Sequence, residues 1–117
     1  MLKKENRLKK KYQYAYVYRV GKKASGEALI VYATTSKTRS AKIGFSVTKK
    51  VGKATRRNLA RRRLREIIKK QLPNLKQNYN IIIVAKDNIL SFTFAQLSAD
   101  LAKILGKLGL YKDEKSI

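Results

Sequence analysis

The chain has 117 residues, 29 of them lysine or arginine and 7 aspartate or glutamate, which gives a formal net charge of +22 without a single histidine or cysteine. That length makes one domain, expected to span residues 1–117, and 44% apolar residues suffice for a modest core rather than a disordered basic tail. The composition excludes a disulfide framework, a thiolate zinc site and any nucleophile activated by imidazole, and no apolar run approaches the roughly 18 residues of a membrane span.

Residues 1–23 hold nine cations against Glu5. This basic start leads into tyrosines rather than an apolar signal core, so a cytoplasmic protein that keeps its start is expected. Tyr12, Tyr14, Tyr16 and Tyr18 alternate. As a strand they would set four rings on one face; as a helix they make the i, i+4 pairs Tyr12/Tyr16 and Tyr14/Tyr18, and periodicity alone favours the strand.

Ala28 to Thr35 is rich in β-branched and aromatic residues and reads as a strand. Ser36 to Ser40 is a polar connection of hairpin length. Ala41 to Thr48 alternates as a second strand, with Ile43, Phe45 and Val47 towards the core and Lys42, Gly44, Ser46 and Thr48 on a polar face that offers a binding surface. From Thr48 to Lys53 a basic loop follows, in which Gly52 permits a turn that other residues resist; the glycine spacing is not that of a P-loop.

Thr55 to Lys70 then carries eight cations and Glu66 in sixteen residues. Wound as a helix, it gathers Ala60, Leu64, Ile67, Ile68 and Leu72 into one stripe and turns Asn58, Arg62, Arg65 and Lys69 away from it, with Arg61 at the edge. A solvated helix interleaves glutamate with lysine; this one has almost no counter-charge and puts Arg56 and Arg57 in the first turn, where the helix dipole repels cations. A ligand that supplies the missing negative charge is implied. The first 76 residues sum to +21 and the last 41 to +1, an asymmetry that solubility alone does not require. Nucleic acid fits best among polyanions, since counterion release rewards many phosphate contacts and no Leu/Phe/Trp face marks a membrane helix. The tyrosines, available to stack on unpaired bases, tilt the reading towards RNA.

Pro73 ends that helix near Gln71 or Leu72. Ile81 to Ala85 is an uninterrupted apolar run, as in a strand buried on both faces, so strand, helix and strand form a crossover between parallel neighbours. Thr93 and Gln96 have capping-box spacing, and Leu97, Leu101, Ile104, Leu105 and Leu108 recur at helical intervals up to Gly109. The tail 112–117 is expected to fray.

Taken together, Phe45-Ser-Val-Thr-Lys-Lys-Val-Gly-Lys-Ala, Arg57-Asn58, Arg61-Arg62 and Arg65-Glu66 resemble the signature of the bacterial ribonuclease P protein component. The resemblance extends upstream to Arg7-Leu8-Lys9-Lys10, Tyr14, Val17, Tyr18 and Gly21, and downstream to Tyr79-Asn-Ile-Ile-Ile and the final helix. It implies an α/β (α+β) two-layer sandwich, ribosomal-protein-S5-domain-2-like, with a mixed four-stranded sheet and a left-handed βαβ crossover. It also implies that the tyrosine segment is a short helix, with Tyr14 and Tyr18 facing a cleft.

By the same resemblance the protein is the RNA-binding accessory subunit of a ribonucleoprotein that removes the 5′ leader of precursor tRNA. Catalysis is expected from the RNA subunit and magnesium bound through it, with no cofactor on the protein alone. Lys49, Lys50, Arg57, Asn58, Arg61, Arg62 and Arg65 are expected to contact the RNA subunit; Tyr14, Tyr18, Tyr32, Lys42 and Ser46 are expected to line the leader cleft. Ribonuclease P RNA and precursor tRNA are the expected partners, with no membrane and no obligate protein partner. Leu59 stands where the family usually has a second arginine, Thr55 replaces a usually aliphatic residue, and tyrosines at 14 and 18 replace phenylalanines. A ribosomal or other basic RNA scaffold shares the composition but not the ordered motif from Lys49 to Glu66. An autonomous nuclease would need paired carboxylates or a histidine, and the seven acids are scattered.

Overall fold

Ile81, Ile82 and Ile83 are all fully buried, and consecutive strand residues point to opposite faces, so this strand must be covered on both sides. The computed structural model, which describes residues 3–37 and 39–112, places it in the interior of a sheet. In chain order the elements are α1 (Lys11–Val20), β1 (Lys22–Ser25), β2 (Leu29–Thr35), β3 (Lys42–Ser46), α2 (Ala54–Gln71), β4 (Tyr79–Ala85) and α3 (Phe94–Lys107). The sheet order is β1-β2-β4-β3. β4 runs antiparallel to β2, with Val31 opposite Ile83, and parallel to β3, with Phe45 opposite Ile83.

The parallel β3–α2–β4 crossover is as expected, and α2 ends at Gln71, just before Pro73. The hairpin expected between β2 and β3 does not form: β4 lies between them. The physical reason is the apolar run itself. A short polar connection permits direct pairing, but an Ile-Ile-Ile segment left at an edge would expose unpaired backbone and apolar surface, and insertion between two strands removes both.

On one face Val31, Ile43, Ile81 and Ile83 meet Ala60, Leu64, Ile67 and Ile68 of α2 and Leu97, Leu101, Ile104 and Leu105 of α3 in the main core. Full burial of each large aliphatic side chain contributes about 1.5–3 kcal/mol. The opposite face carries only a small cluster, Ile82 with Leu8 and Val17, edged by Tyr14, Tyr32 and Val84. The tyrosine segment is therefore the helix α1, lying over the thin side of the sheet, and the strand favoured by periodicity is not formed.

The free edge of β3 is covered by the chain before α1. Arg7 bridges to Ile43 in parallel, the Leu8 amide donates to the Ile43 carbonyl at 2.9 Å, and Asn6 Nδ2 donates to the Ala41 carbonyl at 2.7 Å. At α3 the expected capping box is present: the Gln96 amide donates to Thr93 Oγ1 at 3.1 Å and the Thr93 amide to Gln96 Oε1 at 2.8 Å. Gly109, at φ 68°, takes the left-handed turn after that helix. Lys112, expected in the frayed tail, is held by its amide to the Asn74 carbonyl at 2.8 Å; residues 113–117 lie outside the described residues.

Candidate nucleic-acid interface

Two surfaces gather the cations and rings singled out in the sequence. The first is built by the β3–α2 connection. After Ser46 the chain makes a single 3-10 turn, Lys49–Val51, then passes through Gly52 at φ 141° and enters α2 at Lys53. A Cβ at Gly52 would lie 2.7 Å from Arg56 Cδ in a backbone region that side chains avoid. Arg57 Nη1 donates to the Gly52 carbonyl at 3.0 Å, so this arginine braces the turn as well as presenting charge.

Lys53 provides no side-chain cap, and the first turn of α2 holds no acid. The helix thus forgoes both usual means of satisfying its N-terminus. Its stability comes from the buried stripe of Ala60, Leu64, Ile67 and Ile68, as expected, with Leu72 half-buried against the same core. Asn58, Arg62 and Lys69 are exposed, and Arg61 is half-buried with its Nη1 donating to Asn58 Oδ1 at 3.1 Å. Among the described residues no α2 cation forms an ion pair. Leu59, at the position of the missing arginine, is half-buried.

The second surface is the open sheet face crossed by α1. The register sets Gly44, Ile82 and Tyr32 in one row across β3, β4 and β2, and Ser46, Val84 and Ile30 in the next. Tyr14 lies on Gly44, where an added Cβ would come within 2.6 Å of the ring, so only glycine admits it. Its hydroxyl donates to the Leu8 carbonyl at 3.2 Å, and burial pushes its pKa up. At the other end of the row Tyr18 meets Tyr32 edge-to-face, with ring centroids 4.8 Å apart and planes at 78°. Such a pair adds about 0.5–1.5 kcal/mol beyond its buried area.

Of the expected cleft residues, Tyr14 and Tyr32 edge one cluster on this face, and Tyr18 joins it through Tyr32. Tyr14 also borders a depression of 360 Å³ with Arg7, Lys9, Phe45 and Arg65. Lys42 and Ser46 stand at opposite ends of β3, about 13 Å apart at 3.3 Å per residue. Lys42 reaches back to donate to the Glu5 carbonyl at 3.2 Å. Lys50, expected beside the α2 arginines, borders a shallow depression with Ile30, Thr48, Val84 and Lys86 at the end of the open face. Arg65 is the residue that links the basic helix to the aromatic side.

Arg7 and Lys9 stand in a motif to which the sequence gives no role; their signal is the cation density before α1. Lys86 has no such signal, being one lysine in a segment of ordinary charge. Its ammonium is held by the Gly26 carbonyl. One acid is committed to the scaffold: Asp100 of α3 accepts the Glu27 amide at 3.1 Å and the Ala28 amide at 3.0 Å, fixing the β1–β2 turn. Among the described residues no group of three or more acidic side chains gathers to hold a metal. Nor, among them, is any helix long and apolar enough to cross a membrane.

The arrangement suits a polyanion with unpaired bases: fixed arginines for phosphates, rings for stacking and no acid–base machinery. The ribonuclease P family model matches residues 2–109. A ribonuclease P protein component from Clostridium botulinum is 31% identical over 109 residues, covering 92% of this chain and 98% of that protein. The structure of the Staphylococcus aureus ribonuclease P protein matches with a TM-score of 0.84 at 26% identity, covering 92% of this chain and 98% of that one. The Thermotoga maritima protein matches in fold, with a TM-score of 0.78 at 23% identity over 86% of this chain and 96% of that one.

Proposed function

The chain belongs to the ribonuclease P protein family, a component of the ribonucleoprotein nuclease of tRNA 5′ processing, and from that premise we propose that it grips the RNA subunit with α2 and takes the single-stranded 5′ leader of precursor tRNA on the open sheet face. The observation that carries the reading is the cationic face of α2, whose cations form no ion pair among the described residues and whose first turn breaks the rules of helix termini without local compensation. RNA phosphates supply what is missing. In this reading Asn58, Arg61, Arg62 and the braced Arg57 meet the RNA subunit, and Arg65 and Lys50 border the substrate side.

The Tyr18–Tyr32 pair, with Ser46, Val84 and Ile30 in the adjoining row, offers a stacking platform for unpaired leader bases, worth roughly 1–3 kcal/mol per base. Bond cleavage falls to the RNA subunit and to magnesium held by its phosphates; a chain without histidine or cysteine contributes binding and orientation instead. The place of work is the cytoplasm, where precursor tRNA is matured.

The test is cleavage of a 5′-extended precursor tRNA at low magnesium by a bacterial ribonuclease P RNA, with and without this protein, beside the protein alone. Stimulation only in the mixture is expected. Cleavage by the protein alone, or tight RNA binding with no stimulation, would contradict the reading.

A further inference from the structure

The helical form of the tyrosine segment sends its four rings to two flanks. Tyr14 and Tyr18 turn to the Gly44–Tyr32 row; Tyr12 and Tyr16 turn to the other flank and have no part in that surface. They are 66% and 49% exposed, an unusual state for paired rings whose burial would be favourable. With Gln13, Arg19 and Asn80 they line a groove of 590 Å³. Lys10 Nζ and the Arg19 guanidinium each sit 5.7 Å from a ring centroid, over Tyr12 and Tyr16 respectively.

Asn80 belongs to β4, in the row between Lys42 and Thr34, on the side of α1 away from Ser46 and Val84. Its Oδ1 is buried without a hydrogen-bond partner, and it is the one such side-chain atom among the described residues. A buried acceptor left unpaired calls for a reason. A donor brought by a ligand in the groove, such as the amino group of a base, is one that the neighbouring rings also suit.

The groove is not isolated. A basic depression of 610 Å³ lies next to it, sharing Gln13, and that depression in turn shares Arg7 and Lys9 with the one bordered by Tyr14 and Arg65. Lys4, Arg7, Lys9, Lys10 and Lys42 line the basic depression together with Glu5, and partial desolvation, followed by the neighbouring Lys4, Arg7 and Lys42, pushes the Lys9 ammonium below its ordinary pKa. Rings therefore stand at both ends of a cationic saddle that passes over the chain where it enters α1.

We infer that this saddle and the Tyr12/Tyr16 groove form a second single-stranded RNA subsite, occupied by leader nucleotides that lie beyond those on the open sheet face. The inference rests on the proposed binding of the leader to that face. Arg7, Lys9 and Lys10 take the phosphates across the saddle, and Tyr12 and Tyr16 stack on an unpaired base beside Asn80. The leader is favoured over the RNA subunit as occupant because the track starts at Tyr14 and because stacking needs bases free of pairing.

The experiment uses the protein reconstituted with ribonuclease P RNA and measures affinity for mature tRNA and for precursors with leaders of about 4 and about 16 nucleotides, the span of single-strand site sizes. Tyr12→Ala/Tyr16→Ala is expected to lose about fivefold or more on the long leader and nothing on the short one, while Tyr12→Phe/Tyr16→Phe retains wild-type affinity. Both residues are exposed, so folding is not at stake. Equal loss on both leaders, no loss on either, or weakened binding to the RNA subunit would overturn the inference. If the wild-type complex binds the short-leader precursor no better than mature tRNA, the leader reading itself fails, and this subsite with it.

Discussion

α2 and α3 pack side by side on the same face of the sheet and bury stripes of the same kind, yet they are built by opposite rules. α3 begins with a reciprocal capping box, ends on a left-handed glycine, and spends its one acid, Asp100, on holding the β1–β2 turn. α2 begins uncapped, has arginines in its first turn, and leaves its outer cations without acidic partners among the described residues. Everything α3 does is explained within the chain. The buried stripe of α2 is explained in the same way, but its uncapped, acid-free first turn and unpaired outer cations have no explanation among the described residues, and this contrast separates the two helices more sharply than the net charge can.

Substitutions can break the contrast in either direction. The largest effect is expected from Leu101→Ala, which empties a fully buried position of α3 and should lower stability in a denaturant titration by about 2–5 kcal/mol. The salt dependence of RNA binding by the folded fraction should stay as it was; a changed slope would place α3 in the interface. Thr93→Ala removes the α3 cap, at a cost of about 1 kcal/mol by the same titration, again without altering the salt slope. The smallest effect has the opposite sign. Thr55→Glu adds an acid to the exposed first turn of α2 and should stabilise the free protein by about 0.3–1 kcal/mol while weakening its binding to the RNA subunit. A variant that gained both stability and affinity would show that the first turn of α2 does not face RNA.

Much of this contrast is legible in the amino-acid sequence. The α2 stripe, its end before Pro73, the α3 cap and the buried β4 run follow from periodicity and from residues with few conformational options. The strand order around β2 and β3 is not, because a short polar connection reveals only that two strands are close, and the strand that separates them comes later in the chain. β1 escapes notice for a different reason: Lys22, Lys23 and Ser25 are exposed, so an edge strand with no buried face leaves no apolar pattern. Four alternating tyrosines suggest a single-faced strand; the helix instead makes them two pairs on two flanks, and only the family resemblance indicates which. In the candidate site, the arginines of α2 are evident from charge, but the division of Lys42 from Ser46 and the meeting of Arg65 with Tyr14 depend on register and on a crossing helix, neither of which spacing conveys.

In the proposed function the outer face of α2 is neutralised by RNA phosphates. This is tested most directly by the salt dependence of affinity for ribonuclease P RNA, compared among the wild type, Arg62→Ala and Arg61→Ala/Arg62→Ala. Each phosphate contact removed should lower the slope of log affinity against log salt by about 0.7–0.9, so the double variant should fall by about twice the single, with thermal stability unchanged. Three parallel lines would contradict the account and return α2 to the status of α3, a helix that serves only the fold.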